Sequence, residues 1–486
     1  MNKPIRTISL FCLLLFLALM INATYLQYWK AGALNDDPRN RRVITAAFSR
    51  ERGAILVGRD PVAQSVKSGD RYKYQRKYPK PFEYAPLTGF FSFYSQTGVE
   101  QTENDVLSGD DSKLFVNNLV GLLSNDSAKG GNVELTIDPA AQDAAWNGLK
   151  ALGPNVQGAV VAIEPNTGKI LAMTSTPTYD PNKLASHDLS SVLQTYSRLQ
   201  KDPAQPMINR AIQTVLPPGS TFKLVTASAA LESGNFDPQS RVPGGTSLDL
   251  PQTSKDLHNE NGVSCGGSQI TLTRALDVSC NVSFGWLGLQ IGGDALRQQA
   301  QKYGFGQHYF DDLPQQAISR FPSGDLAPPF EAYSAIGQYE VAATPLQMAM
   351  VGAGIANRGT VMKPYLVDEV QSSDYDVLDK TQPSELSKAV SPQTAAELTQ
   401  MMVSVVDQGT GTPAQIPGIS VAGKTGTAQS TPSRPPYAWF VSFAPANDAK
   451  VAVAVLVQSS DTARSEIAGS ALCAPIAKAV MQAVLQ

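Results

Sequence analysis

The stretch Gly158–Thr176, "GAVVAIEPNTGKILAMTST", decides the fold. Two apolar runs flank Pro165-Asn166-Thr167-Gly168, a strong signal for a β-hairpin. The far end of the chain carries the matching pieces. "SVAGKTGTAQS" (420–430), "YAWFVSFAP" (437–445) and "KVAVAVLVQ" (450–458) read as three strands separated by turn residues. "AGSALCAPIAKAVMQAVLQ" (468–486) closes the chain as a helix.

Between the hairpin and these strands lies a long, mostly helical stretch. It includes "STFKLVTASAALESG" (220–234) and "TPLQMAMVGAGIANRG" (344–359), each ended by glycine. Before the hairpin, "NVELTIDPAAQDAAWNGLKAL" (132–152) predicts a strand and then a helix that Asp138 caps and Pro139 starts. The expected fold is α+β: one antiparallel sheet carrying helices, with a helical subdomain over it.

The chain has 486 residues, of which 42% are hydrophobic, enough for more than one domain. Net charge is -3, and no lysine–arginine run tracks one face, which argues against nucleic-acid binding. Only His187, His258 and His308 occur, none at metal-ligand spacing, and no Cys-x-x-Cys pair exists. No metal and no cofactor is expected, and a Ser–His–Asp triad has little to recruit.

At the start, Lys3 and Arg6 precede "ISLFCLLLFLALMINATYL" (8–26). The run is long enough to span a bilayer of about 30 Å, with Tyr25, Tyr28 and Trp29 at the interface. A cleaved signal peptide is the competing reading, but no convincing small-x-small cleavage site follows Ile21, so we expect an uncleaved anchor over 8–29, a cytoplasmic tail over 1–7, and the bulk outside. Lys30, Arg39, Arg41 and Arg42 on the far flank leave charge counting undecided. Residues 30–129 form a mixed segment. Its "RRVITAAFSRERGAILVG" (41–58) reads as a helix or turn leading into a strand. The tyrosine- and lysine-rich 68–98 reads as a solvated, β-rich face. From residue 130 the texture changes, marking a second domain to 486. Cys265 and Cys280 can pair outside the membrane to close a short loop; buried thiols are the alternative.

Three short motifs carry chemistry. Ser220-Thr221-Phe222-Lys223 occurs once and puts a hydroxyl and an ammonium one turn apart. Burial and nearby positive charge would let a neutral Lys223 take the serine proton. A plain serine cap with an exposed lysine is the bland reading. Ser279-Cys280-Asn281 follows a helical run; its serine can relay a proton and its asparagine can fix a lysine and a substrate amide. Lys424-Thr425-Gly426-Thr427 sits on an expected edge strand, where Lys424 and Thr425 can meet a carboxylate. Gly426 there leaves room for an extended substrate.

In this order the trio resembles that of penicillin-binding proteins and serine β-lactamases. The chain looks like a class B penicillin-binding protein, nearest to the actinobacterial A group. Flanking blocks agree: "STPTYDPN", "NRAIQTVLPPGSTFK", "IGQYEVAATPLQMA" and "GKTGTAQ". The resemblance implies a transpeptidase fold over 130–486 behind a dimerisation-like pedestal over 30–129. It implies a D,D-transpeptidase that cross-links peptidoglycan stem peptides, serves cell division, and is acylated by β-lactams. It assigns Ser220 as nucleophile, Lys223 as base, Ser279 as relay and Asn281 as orienting residue. Lys424 and Thr425 would hold the donor carboxylate, with backbone N–H groups of Ser220 and Thr427 as oxyanion hole. Implied partners are stem peptides or their lipid-linked precursor, the membrane, a SEDS-type glycosyltransferase and divisome proteins. A Cys265–Cys280 bridge would brace the site itself.

Departures exist. Gly337-Gln338-Tyr339 stands where many relatives read Gly-Gln-Gly, and the Asp-Arg-Asn-Gly pattern after "RGAI" is missing. A D,D-carboxypeptidase would use the same trio with water as acceptor, and usually carries a C-terminal anchor. A β-lactamase would need a deacylating base, such as a Glu-x-x-x-Asn block or a carbamylated lysine. A non-catalytic β-lactam sensor or septal scaffold is the third alternative; a scaffold would tolerate loss of the motifs, which are intact.

Overall fold

The structure is a computed structural model that describes residues 2–31, 34, 45, 48–114, 129–428 and 435–486. The hairpin is strands β1 (Gln157–Ile163) and β2 (Ile170–Thr176). The C-terminal runs are β3 (Ala422–Ala428), β4 (Tyr437–Ala444) and β5 (Val451–Ser459). They form one antiparallel sheet in the order β3-β4-β5-β1-β2. The chain's two ends thus meet at β5 and β1, and β3 is left as an edge.

Both faces of this sheet are covered, so its strands are apolar at nearly every position. On β5, Val451, Val453, Val455 and Val457 face the core shared with helices Pro139–Lys150 and Ala474–Leu485. Ala452, Ala454 and Leu456 face the opposite core, with Met348 and Val351 of helix Pro345–Ala356. This is strand alternation with both sides buried. The Asp138 side chain accepts from Ala141 N at 2.8 Å and Pro139 opens the helix, as the sequence predicts.

A second sheet of six strands runs Val377–Lys380, Val367–Gln371, Asn132–Leu135, Ile55–Val57, Asp60–Lys67, Tyr74–Lys77. It joins strands from both sides of the expected boundary at 129/130. The sequence gives no local hint that 367–380 returns to this sheet.

The tyrosine-rich stretch corrects the sequence reading. Pro81–Thr88 is a helix, and Tyr72, Tyr78, Tyr84, Phe90, Phe91 and Phe93 are buried rather than solvated. They cover a charged core in which Glu100 accepts from Arg52 Nε at 2.7 Å, Arg76 Nε at 2.6 Å and Tyr78 OH at 3.0 Å. Burial would raise the Glu100 pKa, but the two guanidiniums hold it below the ordinary range. His187 also lies among aromatic rings, Phe48, Tyr72 and Phe93, and pairs with Asp70.

Asn2–Thr24 is helical and continues as a π-helix over Tyr25–Trp29. Lys3–Trp29 is long and apolar enough to cross a membrane. Arg39, Arg41 and Arg42 lie outside the described residues.

Candidate active site

Ser220 lies in a short 3-10 turn, Gly219–Phe222, that leads into helix Lys223–Glu232. The helix therefore starts two residues later than a Ser220 cap would place it, with Phe222 in the cap position. The turn is pinned from three sides. Gly219 N donates to Gly337 O at 3.0 Å, Trp439 Nε1 donates to Pro217 O at 3.0 Å, and Thr221 Oγ1 donates to Pro218 O at 2.7 Å. Gly337 has φ +72, and a Cβ on it would fall 2.2 Å from Gly219 O, so only glycine fits there.

Ser279 sits at the corner between helices Leu272–Asp277 and Asn281–Ile291. Its φ is +58, uncommon for a residue with a Cβ. The strained corner turns both its carbonyl and its hydroxyl toward Lys223. Lys223 Nζ lies 2.7 Å from Ser279 O, 2.8 Å from Asn281 Oδ1 and 3.3 Å from Ser279 Oγ. The first two partners only accept. A neutral amine satisfies both with its two protons and keeps a lone pair for a hydroxyl.

Lys424 approaches Ser279 from the other side. Its Nζ donates to Ser279 Oγ at 2.9 Å and to Thr425 O at 2.8 Å. Ser279 Oγ thus bridges the two lysines. Both lysines are 0% exposed. Burial first and the Lys424 charge second push Lys223 well below the ordinary lysine range. Burial also lowers Lys424 to about 7, against the pull of Glu260 and Asp277.

None of the described hydrogen bonds ends on Ser220 Oγ. The structure brings Lys223, Ser279, Asn281 and Lys424 into one network and holds Ser220 beside it through the turn. Such contacts commonly tighten when substrate binds. Gly426 lies against that turn: a Cβ there would sit 2.9 Å from Thr221 Cγ2 and 3.0 Å from Pro218 O. Its missing side chain thus lets the Ser220 turn close on the edge strand, instead of leaving room for an extended substrate as the sequence reading expects. Gly219 in turn abuts Thr427 O, which places Ser220 and Thr427 side by side.

Supporting residues appear that the sequence did not mark. Thr410 Oγ1 lies 2.6 Å from Thr425 Oγ1, and Thr410 N donates to Asp277 O at 3.0 Å. Asn259 Oδ1 accepts from Val282 N at 3.0 Å, and His258 O accepts from Asn281 Nδ2 at 3.1 Å. The only sequence signal at Thr410 is a Gly-Thr-Gly turn, which any loop can contain. Cys265 and Cys280 form a disulfide that ties the 258–265 segment to the Ser279 corner. Among the described residues no group of three or more His, Cys, Asp or Glu is placed to hold a metal.

Comparison with known proteins agrees with this arrangement. Residues 158–482 match the penicillin binding protein transpeptidase domain, and residues 52–133 match the penicillin binding protein A dimerisation domain. The chain is 43% identical to the peptidoglycan D,D-transpeptidase PbpA of Mycolicibacterium smegmatis, over 100% of this chain and 99% of that one. The same-named protein of Mycobacterium tuberculosis is 42% identical over the same shares. Penicillin-binding protein A of M. tuberculosis, solved as a penicillin G acyl-enzyme complex, superposes with a TM-score of 0.84 at 42% identity. That match covers 90% of this chain and 100% of that one. The ceftriaxone acyl-enzyme of the same protein gives 0.86 at 41% identity, covering 91% and 100%. With the paired lysines, the serine corner and these full-length matches together, the chain belongs to the class B penicillin-binding proteins.

Proposed function

We propose that the protein is a peptidoglycan D,D-transpeptidase working through a Ser220 acyl-enzyme. The observation that carries this is the network in which Ser279 Oγ bridges two wholly buried lysines beside the Ser220 turn. Neutral Lys223 takes the Ser220 proton as Oγ attacks the carbonyl between the two terminal D-alanines of a donor stem. Backbone N–H groups of Ser220 and Thr427 receive the developing oxyanion. The proton passes through Lys223 and Ser279 to the leaving D-alanine amine. Asn281 keeps Lys223 in place and has capacity left for the donor amide. Thr425 and Thr427 on the edge strand hold the donor carboxylate, with Lys424 beneath them supplying positive charge. An amine of a second stem then takes the acyl group. A β-lactam enters as a donor whose leaving group stays attached, so Ser220 remains acylated.

The proposed organisation is a tail over 1–7, an anchor over 8–29, a pedestal over 30–129 and a transpeptidase domain over 130–486. The catalytic domain lies outside the membrane. A SEDS-type glycosyltransferase and divisome proteins are the proposed partners, which links the enzyme to division.

The test is D-alanine release and cross-link formation from stem-peptide substrate by the full chain in detergent. Ser220→Ala is expected to abolish both. Cross-linking that survives this substitution would refute the reading.

A further inference from the structure

The donor half of the site is accounted for above; the amine that completes the reaction is not. An acceptor amine is an ammonium at neutral pH and must be drawn to a site that already holds two buried lysines. Two anions act on those lysines. Asp277 is 2% exposed and acts from within the protein on Lys424. Glu260 is exposed, and its negative charge is felt at both Lys223 and Lys424.

Glu260 is not on a free loop. The residues before it are stitched to the Ser279–Val282 corner by the His258 O to Asn281 Nδ2 and Asn259 Oδ1 to Val282 N hydrogen bonds. Asn259 Nδ2 also donates to Gly245 O at 2.7 Å and to Val263 O at 2.8 Å. Five residues after Glu260, Cys265 is bridged to Cys280. The segment is thus clamped at both ends to the relay motif, and between the clamps it carries one exposed carboxylate, two residues from His258, whose carbonyl holds the Lys223-binding Asn281.

We infer that Glu260 is the acceptor-binding residue: its carboxylate receives the primary ammonium of the second stem peptide and takes one of its protons. The resulting amine attacks the Ser220 ester. The N–C bond forms, the C–Oγ bond breaks, and a second amine proton returns through Lys223 to Ser220 Oγ. The first proton leaves from Glu260 to water. This inference rests on Ser220 being the nucleophile, so the test separates the two.

The experiment uses full-length wild type, Glu260→Gln and Glu260→Lys. Acylation is read first, with fluorescent penicillin. Partition of a thioester donor between hydrolysis and aminolysis is read next, at pH 7.5, with two acceptors. One is a short peptide carrying a side-chain primary amine; the other is hydroxylamine, which is neutral at this pH. Acylation in E260Q is expected within about twofold of wild type. Transfer to the ammonium acceptor should fall on the order of tenfold, as a partly desolvated ion pair allows. It should fall further in E260K, while transfer to hydroxylamine stays unchanged. Equal losses with both acceptors, or no loss with the ammonium, would overturn the inference. So would a slowing of acylation as large as that of aminolysis, which would place the role of Glu260 on the lysines. Absence of wild-type acylation would instead refute Ser220 as nucleophile.

Discussion

The sharpest consequence of the buried lysine pair concerns pH. Lys424 is held to about 7 by burial, so its charge is half lost at neutral pH and almost gone by pH 9. At two units above that value only about one molecule in a hundred keeps the proton. Lys223 lies well below its ordinary range and must be neutral to act as base. The signs therefore oppose: deprotonation of Lys223 raises the acylation rate, and deprotonation of Lys424 lowers it. The second-order acylation constant, which reports the free enzyme, should fall about fifty-fold between pH 7 and pH 9. Lys424→Arg removes the titration, because a guanidinium stays charged throughout this range. Lys424 is wholly enclosed between Ser279 Oγ and Thr425 O, so the larger side chain is expected to lower the absolute rate. The shape of the profile is unaffected by that loss. Stopped-flow acylation with a fluorescent penicillin from pH 6 to 9.5, on both proteins, reads it directly. A falling limb near pH 7 that persists in K424R, or a flat wild-type profile, would refute the reasoning.

Further perturbations separate chemistry from stability. Ser279→Ala keeps the carbonyl that holds Lys223 and removes the hydroxyl between the lysines. Acylation should drop on the order of a hundredfold, with a stability loss of only about 1–2 kcal/mol by denaturant titration. Cys265→Ser with Cys280→Ser opens a loop with a sequence separation of 15. It should cost about 3 kcal/mol by denaturant titration and slow acylation; acylation at the wild-type rate would show that the bridge does not brace the corner. Glu100→Gln leaves Arg52 and Arg76 buried without their carboxylate. It should destabilise the region around the six-stranded sheet by about 3–5 kcal/mol, seen by calorimetry, while acylation of Ser220 stays within about twofold.

The sheet was readable because its evidence is local. Gly158–Thr176 contains both strands and their turn, and the runs around Lys424, Trp439 and Val453 are short, apolar and separated by turn residues. The candidate site was legible for a different reason: Lys223, Ser279, Asn281 and Lys424, which the structure joins in one network, stand with Ser220 in short motifs of chemistry-bearing residues. What stayed hidden depends on distant partners. Nothing near Thr410 shows that its hydroxyl meets Thr425, and nothing near Asn259 shows that it clamps Val282. The stretch around Tyr78 and Tyr84 looked solvated because its lysines alternate with aromatics. Those rings are instead inside, packed over an ion cluster whose members, Arg52, Arg76 and Glu100, are scattered along the chain. Strand pairing of Val367–Gln371 with Asn132–Leu135 is non-local in the same way.

The central claim is that Ser220 is the acylated nucleophile of this lysine-served site. The direct measurement is mass spectrometry of the full-length protein after reaction with penicillin G, followed by peptide mapping. One adduct is expected, on the peptide containing Ser220, and none in Ser220→Ala. An adduct on any other residue, or one that survives in the alanine variant, would contradict the account.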